Sequence, residues 1–347
     1  MEKERGLKTH WLGRRDFLKI SGFGGGGALF LDSLTSHVPL SFATDVYPAD
    51  KIKWLIPYQP GGGYDLIARA MSPYLTKYIR ESTRNSKGGG IIIRNEPGAS
   101  GQKAYSTTYG AKPDGYTICF IEIAIAIEAL FSKMEFDIER FTYLACPMST
   151  TRLLIAAKNG FANWDEMLKA AKAKELKWGV GAFGRSTHAD SIVIKETVGI
   201  PARFIALGGT SANLNALMRG DIQMSLVSED SVQGLVKAKE VRPLVHFAEK
   251  SEYPGVPSIK ELGYPQLVEK LGGYRFVVAP PGLPKSIQAV LVSAFRKSID
   301  DKEFQAWQKM NNFSLNPIYG DEADKLARRM IKYYQQDLKP LLKKYLD

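Results

Sequence analysis

Four turns in this chain gather glycines, hydroxyls and charged side chains between a predicted strand and a predicted helix. The first is Pro57-Tyr58-Gln59-Pro60-Gly61-Gly62-Gly63-Tyr64-Asp65. Three glycines let backbone amides approach a bound group closely, and the free N–H groups opening the next helix point into the turn. Such amides, reinforced by the helix dipole, hold anions. Asp65 reads either as a contact to the bound group or as a first-turn carboxylate that favours the dipole. No Gly-Lys-Ser/Thr closes the turn, so it is not a nucleotide P-loop.

The other three turns have the same character. Asn95-Glu96-Pro97-Gly98-Ala99-Ser100-Gly101 offers Ser100 as a helix cap or a contact, with capping the simpler role. Gly181-Ala182-Phe183-Gly184-Arg185-Ser186-Thr187-His188 carries an arginine that is either a bidentate partner for a carboxylate or a solvated loop residue. Thr187 and Asp190 loosely fit a capping box, and His188 reads as a loop-orienting or a buried structural residue. Leu207-Gly208-Gly209-Thr210-Ser211 adds amides and two hydroxyls, and Ser228-Glu229-Asp230 follows a strand that ends nearby.

Catalytic signatures are missing. There is no Gly-x-Ser-x-Gly elbow and no His-Glu-x-x-His. Ser186 and His188 lie close in sequence, yet no third group orients them as a nucleophile and base. Gly22-x-Gly24-x-x-Gly27 matches the dinucleotide fingerprint, but no strand precedes it. The four histidines are scattered and no Cys/His cluster has metal spacing, so the sequence calls for no cofactor and no metal.

The elements that must position these turns alternate. Short apolar strands are predicted at Lys53–Pro57, Ile91–Ile93, Thr117–Ile121, Leu153–Ala157, Lys177–Val180, Phe204–Ala206, Ile222–Val227, Val241–Ala248 and Tyr274–Ala279. Helices are predicted between them, among them Leu66–Ile79, Trp164–Lys174 and Ala189–Val198, and then at Lys285–Ile299, Lys302–Met310 and Asp321–Tyr345. Such alternation gives an α/β fold with parallel strands and helices on the sheet faces. Its two runs predict two lobes, residues 44–150 with 273–347 and residues 151–272, and place a ligand cleft between them at the carboxyl ends of strands.

Residues 1–43 read as an address. Arg14-Arg15 with Phe17-Leu18-Lys19, a glycine-rich weakly apolar stretch, and Ser41-Phe42-Ala43 have the layout of a twin-arginine export signal. The expected location is therefore periplasmic. The whole chain carries +11, which suits anionic solutes and acidic surfaces. It has no arginine-rich run and no basic patch interleaved with aromatics, which excludes nucleic acid as a partner. Export permits Cys119 and Cys146 to pair, and two buried thiols are equally compatible with the sequence.

These turns, in this order, resemble the extracytoplasmic substrate-binding receptors of the tripartite tricarboxylate transporter family, often called Bug-type. The resemblance rests on Pro57-Tyr58-x-x-Gly61-Gly62-x-x-Asp65, Asn95-x-Pro97-Gly98-Ala99-x-Gly101 and Pro113-Asp114-Gly115-Tyr116-Thr117. Val256-Pro257-Ser258, Glu261-x-Gly263-Tyr264 and Ala279-Pro280-x-Gly282-x-Pro284-Lys285 complete it. It implies a two-lobed type II periplasmic-binding-protein fold that closes on a small carboxylate and then docks, as a monomer, on membrane-embedded transporter subunits. The rival is an exported hydrolase or transferase on a similar scaffold.

By the resemblance, Tyr58, Gly62, Gly63, Tyr64 and Asp65 hold one carboxylate from the first lobe. Gly184, Arg185, Ser186, Thr187 and His188 match the loop that faces it from the second, to which the turns themselves add Phe183, Gly209, Thr210 and Ser228. Tyr64, Phe183 and Tyr274 are the expected aromatic walls. Two departures stand out. Arg185 replaces the family's usual serine, and Glu122 stands where the family has a small residue after the third strand. An acid there disfavours a carboxylate unless the ligand also carries a cation or hydroxyls, or Arg185 meets a second carboxylate.

Overall fold

The computed structural model describes residues 47–181, 185–311, 313 and 315–346. The export segment expected over residues 1–43 lies outside the described residues, as do Phe183 and Gly184 of the third turn.

The first half of the chain runs β1 (Ile52–Ile56), α1 (Gly63–Thr83), β2 (Ile91–Asn95), α2 (Gln102–Tyr109), β3 (Thr117–Glu122), α3 (Ile125–Glu128) and β4 (Thr142–Thr150). The second runs β5 (Arg152–Ala157), α4 (Trp164–Ala173), β6 (Leu176–Val180), α5 (Ser186–Val198), β7 (Ala202–Ala206), α6 (Thr210–Arg219), β8 (Met224–Ser228) and β9 (Val241–Phe247). The chain then returns through β10 (Gly273–Ala279) and β11 (Ile318–Tyr319), with helices Lys285–Asp300 and Lys302–Met310 between them. One sheet has the order β11-β4-β10-β3-β1-β2 and the other β7-β6-β8-β5-β9. Helices cover both faces of each sheet, so each lobe is a three-layered α/β unit, with β1, β2 and β3 parallel and β10 inserted antiparallel between β3 and β4.

Apolar spacing explains the packing. Ile67, Met71, Leu75 and Ile79 fall on one stripe of α1 and are fully buried. They meet Ile52, Trp54 and Ile56 of β1 and, from helix Lys285–Asp300, Leu291 and Phe295. In the second lobe Trp178 of β6 is buried beside Phe204 of β7. Helix α5 ends on Gly199 at φ +76°, a left-handed stop that glycine adopts without steric cost.

Two differences from the sequence reading have physical causes. Strand β4 was not predicted: it is buried on both faces, so it lacks alternation, and it carries Pro147. The pairing of β10 with β4 slips there, from Arg275↔Met148 to Val277↔Ala145, so the proline sits in a bulge. The predicted helix Asp321–Tyr345 is not continuous. It runs Gly320–Tyr333, widens to a π-type turn over Tyr334–Leu338, and resumes over Lys339–Leu346. That last segment leaves the first sheet and reaches α5, where Lys344 pairs with Glu196 and the Tyr345 ring lies 6.0 Å from Phe204.

Cys119 on β3 and Cys146 on β4 are free thiols, both fully buried, with β10 between their strands. Burial pushes each thiol up to about 12. Neither is expected to react with a thiol-specific dye at pH 8 in the folded protein, and both should react in denaturant. Rapid labelling of the native chain would contradict this packing.

Candidate functional site

Helix α1 begins at Gly63, with Gly62 as its N-cap and no side chain capping it. Helices α5 and α6 also start without a side-chain cap, on Arg185 and Gly209. Each follows the carboxyl end of a parallel strand, β1, β6 or β7, so each leaves amides facing out of a strand end. Gly61, Gly62 and Gly63 are exposed.

Asp65 shapes the first turn from beneath. It is buried, and its carboxylate accepts from the Gly61 N–H at 2.9 Å, from Arg69 Nε at 2.9 Å and from Asn95 Nδ2 at 2.9 Å. Asn95 also donates to the Tyr58 carbonyl at 3.1 Å, and Arg69 donates to Asn95 Oδ1 at 3.0 Å. The Arg69 hydrogen bond, above all, holds the Asp65 carboxyl down to about 2. Asp65 is therefore a positioning residue with its lone pairs already used. Gly101 of the second turn supports the same wall. At φ +95° a Cβ there would meet Tyr105 Oη at 2.6 Å, so only glycine fits.

A cavity of about 220 Å³ lies between the lobes, lined by Tyr58, Ser100, Tyr105, Glu122, Glu128, Arg185 and Ser186, with Ala124 and Ile125. It joins the first and second turns of one lobe to the start of α5 in the other. The Tyr58 hydroxyl donates to Glu122 at 3.3 Å. Arg185 forms an ion pair with Glu128 across the crevice, and Gln102 donates to the same carboxylate at 3.4 Å. Arg185 is thus paired with an acid of the opposite lobe. Ser100 sits at φ 56° on the cavity wall and caps nothing.

A second cavity of about 190 Å³ is lined by Thr150, Asp230, Arg275 and Phe313 with Met148, Ser149 and Asn311. Arg275 was missed by sequence reasoning. Its guanidinium lies 5.1 Å over the Tyr64 ring and 3.1 Å from Asp230 of the other lobe. Burial works against its charge, but Tyr64, Asp230 and Glu122 outweigh that and raise its pKa. The Tyr58 ring, on the wall of the first cavity, lies 4.9 Å from the Tyr64 ring beneath Arg275.

The remaining expected residues serve the frame. Thr187 Oγ1 accepts from the Gly181 N–H at 3.2 Å, so it closes the turn and is not the helix cap. Asp190, its supposed capping-box partner, instead accepts from Arg152 Nε at 2.8 Å. His188 is buried edge-on to Phe204, and burial lowers it to about 4. The Ser228 hydroxyl accepts from Arg152 and faces the hinge. Gly62, Gly63, Tyr64, Gly209 and Thr210 line neither cavity, and Tyr274 lies on the face of β10 opposite Arg275, in a cavity of about 580 Å³ that also holds Glu229 and His246.

Among the described residues no group of three or more His, Cys, Asp or Glu could hold a metal ion, and no helix is long and apolar enough to cross a membrane.

A family model described as tripartite tricarboxylate transporter family receptor matches residues 75–345. Protein BugT of Bordetella pertussis is 22% identical over 277 residues, covering 77% of this chain and 82% of that protein. Among solved structures, a TctC solute-binding protein from Polaromonas superposes with a TM-score of 0.74 at 22% identity, over 86% of this chain and 99% of the other. MatC from Rhodopseudomonas palustris, solved with bound malate, superposes with a TM-score of 0.63 at 21% identity, over 85% and 100%. At these identities the superpositions carry the fold, and the family match carries the relationship.

Proposed function

The chain belongs to the tripartite tricarboxylate transporter receptor family, whose members are extracytoplasmic solute-binding receptors of transport systems and not enzymes, and from that premise we propose that it captures a small organic acid and delivers it, as a monomer, to membrane-embedded transporter subunits. The observation that carries this reading is the interlobe cavity. It sets Tyr58 and Ser100, from glycine-bearing turns of one lobe, against the uncapped start of α5 in the other. A solute bound there touches both lobes, and a ligand that makes more contacts in the closed arrangement drives closure by that difference. In this reading Gly62, Gly63 and Tyr64 present the amides, Asp65 fixes their turn, and Ser186 contributes from the second lobe. Malate in the related MatC makes small carboxylates the first class to try. Residues 1–43 serve as a twin-arginine export segment.

The test is recovery of the chain from the extracytoplasmic fraction, with mass spectrometry of both protein and any co-purified solute, then a thermal-shift screen. The recovered mass should lack the export segment. A carboxylate at a hundred times its Kd should stabilise the fold by about 2.7 kcal/mol. An unaltered compound after long incubation agrees with a receptor. Turnover of the compound, or no shift with any mono-, di- or tricarboxylate, aromatic acid or amino acid, would overturn the proposal.

A further inference from the structure

Glu122 and Arg275 are directly opposed on antiparallel β3 and β10, so their side chains leave the sheet on the same face, into the crevice. Opposite charges placed this way usually pair. Here they do not: among the described residues no ion pair joins Glu122 to any cation. Arg275 is drawn over Tyr64 and out to Asp230 of the other lobe. Glu122 has only the Tyr58 hydroxyl at 3.3 Å and forms part of the cavity wall. Tyr58 lies beside Glu122 and Tyr64 beneath Arg275, with the two rings 4.9 Å apart.

The neighbouring charges sharpen the point. Glu128, the other acid in that wall, is already answered by Arg185 and Gln102. Glu122 is thus the one wall carboxylate without a cationic partner, and a purely anionic solute would bring like charge against it. Arg275 has donors beyond the one used on Asp230, in a planar fork suited to a carboxylate. The crevice therefore offers, from neighbouring strands, an acceptor-only carboxylate on one cavity wall and a carboxylate-binding guanidinium on the other, with two aromatic rings beside them. Aromatic faces also favour a cationic centre held near them.

Building on the receptor reading, we propose that the crevice selects organic acids that also carry a cationic nitrogen, with Arg275 meeting the carboxylate and Glu122 the cation. Arg275 and Glu122 are then the specificity-determining pair, and plain dicarboxylates are the disfavoured class.

The experiment is calorimetric titration of the purified mature chain with three matched pairs: glutamate and glutarate, 4-aminobutyrate and butyrate, and glycine betaine and its uncharged-carbon isostere 3,3-dimethylbutyrate. In at least one pair the nitrogen-bearing member should bind more tightly, by about tenfold or more. Glu122→Gln should weaken that member and strengthen its nitrogen-free partner, so the preference shrinks or reverses. Arg275→Gln should weaken both members together. If nitrogen-free acids bind as well as or better than their partners in every pair, the inference falls while the receptor reading stands. If no acid of either kind binds the wild-type chain, the carboxylate-receptor reading falls and takes the inference with it. The wild-type ratios decide the matter even if a variant fails to fold.

Discussion

Arg152→Met is expected to destabilise the protein by about 3–5 kcal/mol, because it breaks a buried ion pair and strands the partner. Arg152 is 4% exposed at the start of β5, where its Nε donates to Asp190 at 2.8 Å and a second nitrogen donates to Ser228. Methionine fills the volume of the stem but answers neither acceptor. Burial already lifts the Asp190 carboxyl to about 6 against the pull of Arg152. Without the arginine it must rise further or remain as an uncompensated charge. The sign of the pH dependence follows. A carboxyl whose folded value lies above its ordinary 3.8 favours folding when protonated, and that contribution is lost as pH rises through about 6. The deficit of Arg152→Met should therefore be largest near pH 8 and shrink toward pH 4. Urea melts across that range check it, and Arg152→Met with Asp190→Leu should recover much of the loss. A deficit under about 1 kcal/mol at pH 8, or one that grows in acid, would contradict the account.

Asp65→Ala should cost about 2–3 kcal/mol and weaken solute binding by at least tenfold. The carboxylate gathers the Gly61 amide, Arg69 and Asn95, and Asn95 in turn holds the Tyr58 carbonyl. Removing it releases the turn that presents Gly62, Gly63 and Tyr64, so the amides proposed to bind the solute would have to be reordered each time one arrives. With its carboxyl held near 2, below its ordinary 3.8, Asp65 contributes stability that is fully present above pH 4 and is lost as pH falls through 2. The gap between wild type and variant should close over that interval in thermal melts. An affinity unchanged by the substitution would mean that this turn does not form the site.

The readability of the chain followed its local physics. The glycine turn at Gly61–Gly63, the stripe of α1 and the short strands of the parallel runs are written in consecutive residues, and spacing alone finds them. The α/β class and the receptor family were legible for the same reason. Strand β4 was not, because a strand buried on both faces loses alternation and Pro147 disguises its bulge. The site was legible only where a turn carried it. Arg275 reads in sequence as one polar residue in an apolar strand, and nothing nearby announces that β10 returns to lie beside β3 with Glu122 opposite. Glu128 sits in a helix of four residues with no pattern to mark it. Arg185 was visible, but its partner lies in the other lobe, and no spacing rule predicts a pair between residues so far apart in the chain.

The step from β4 to β5 has a mechanical meaning. Thr151 alone separates Thr150, the end of one sheet, from Arg152, the start of the other, and its hydroxyl is held between Glu229 and His246 at their buried edge. A joint of one residue cannot act as a slack tether. Any parting of the lobes must bend a nearly unbroken ribbon at this point, and must do so while the terminal helix Lys339–Leu346 is fastened to α5.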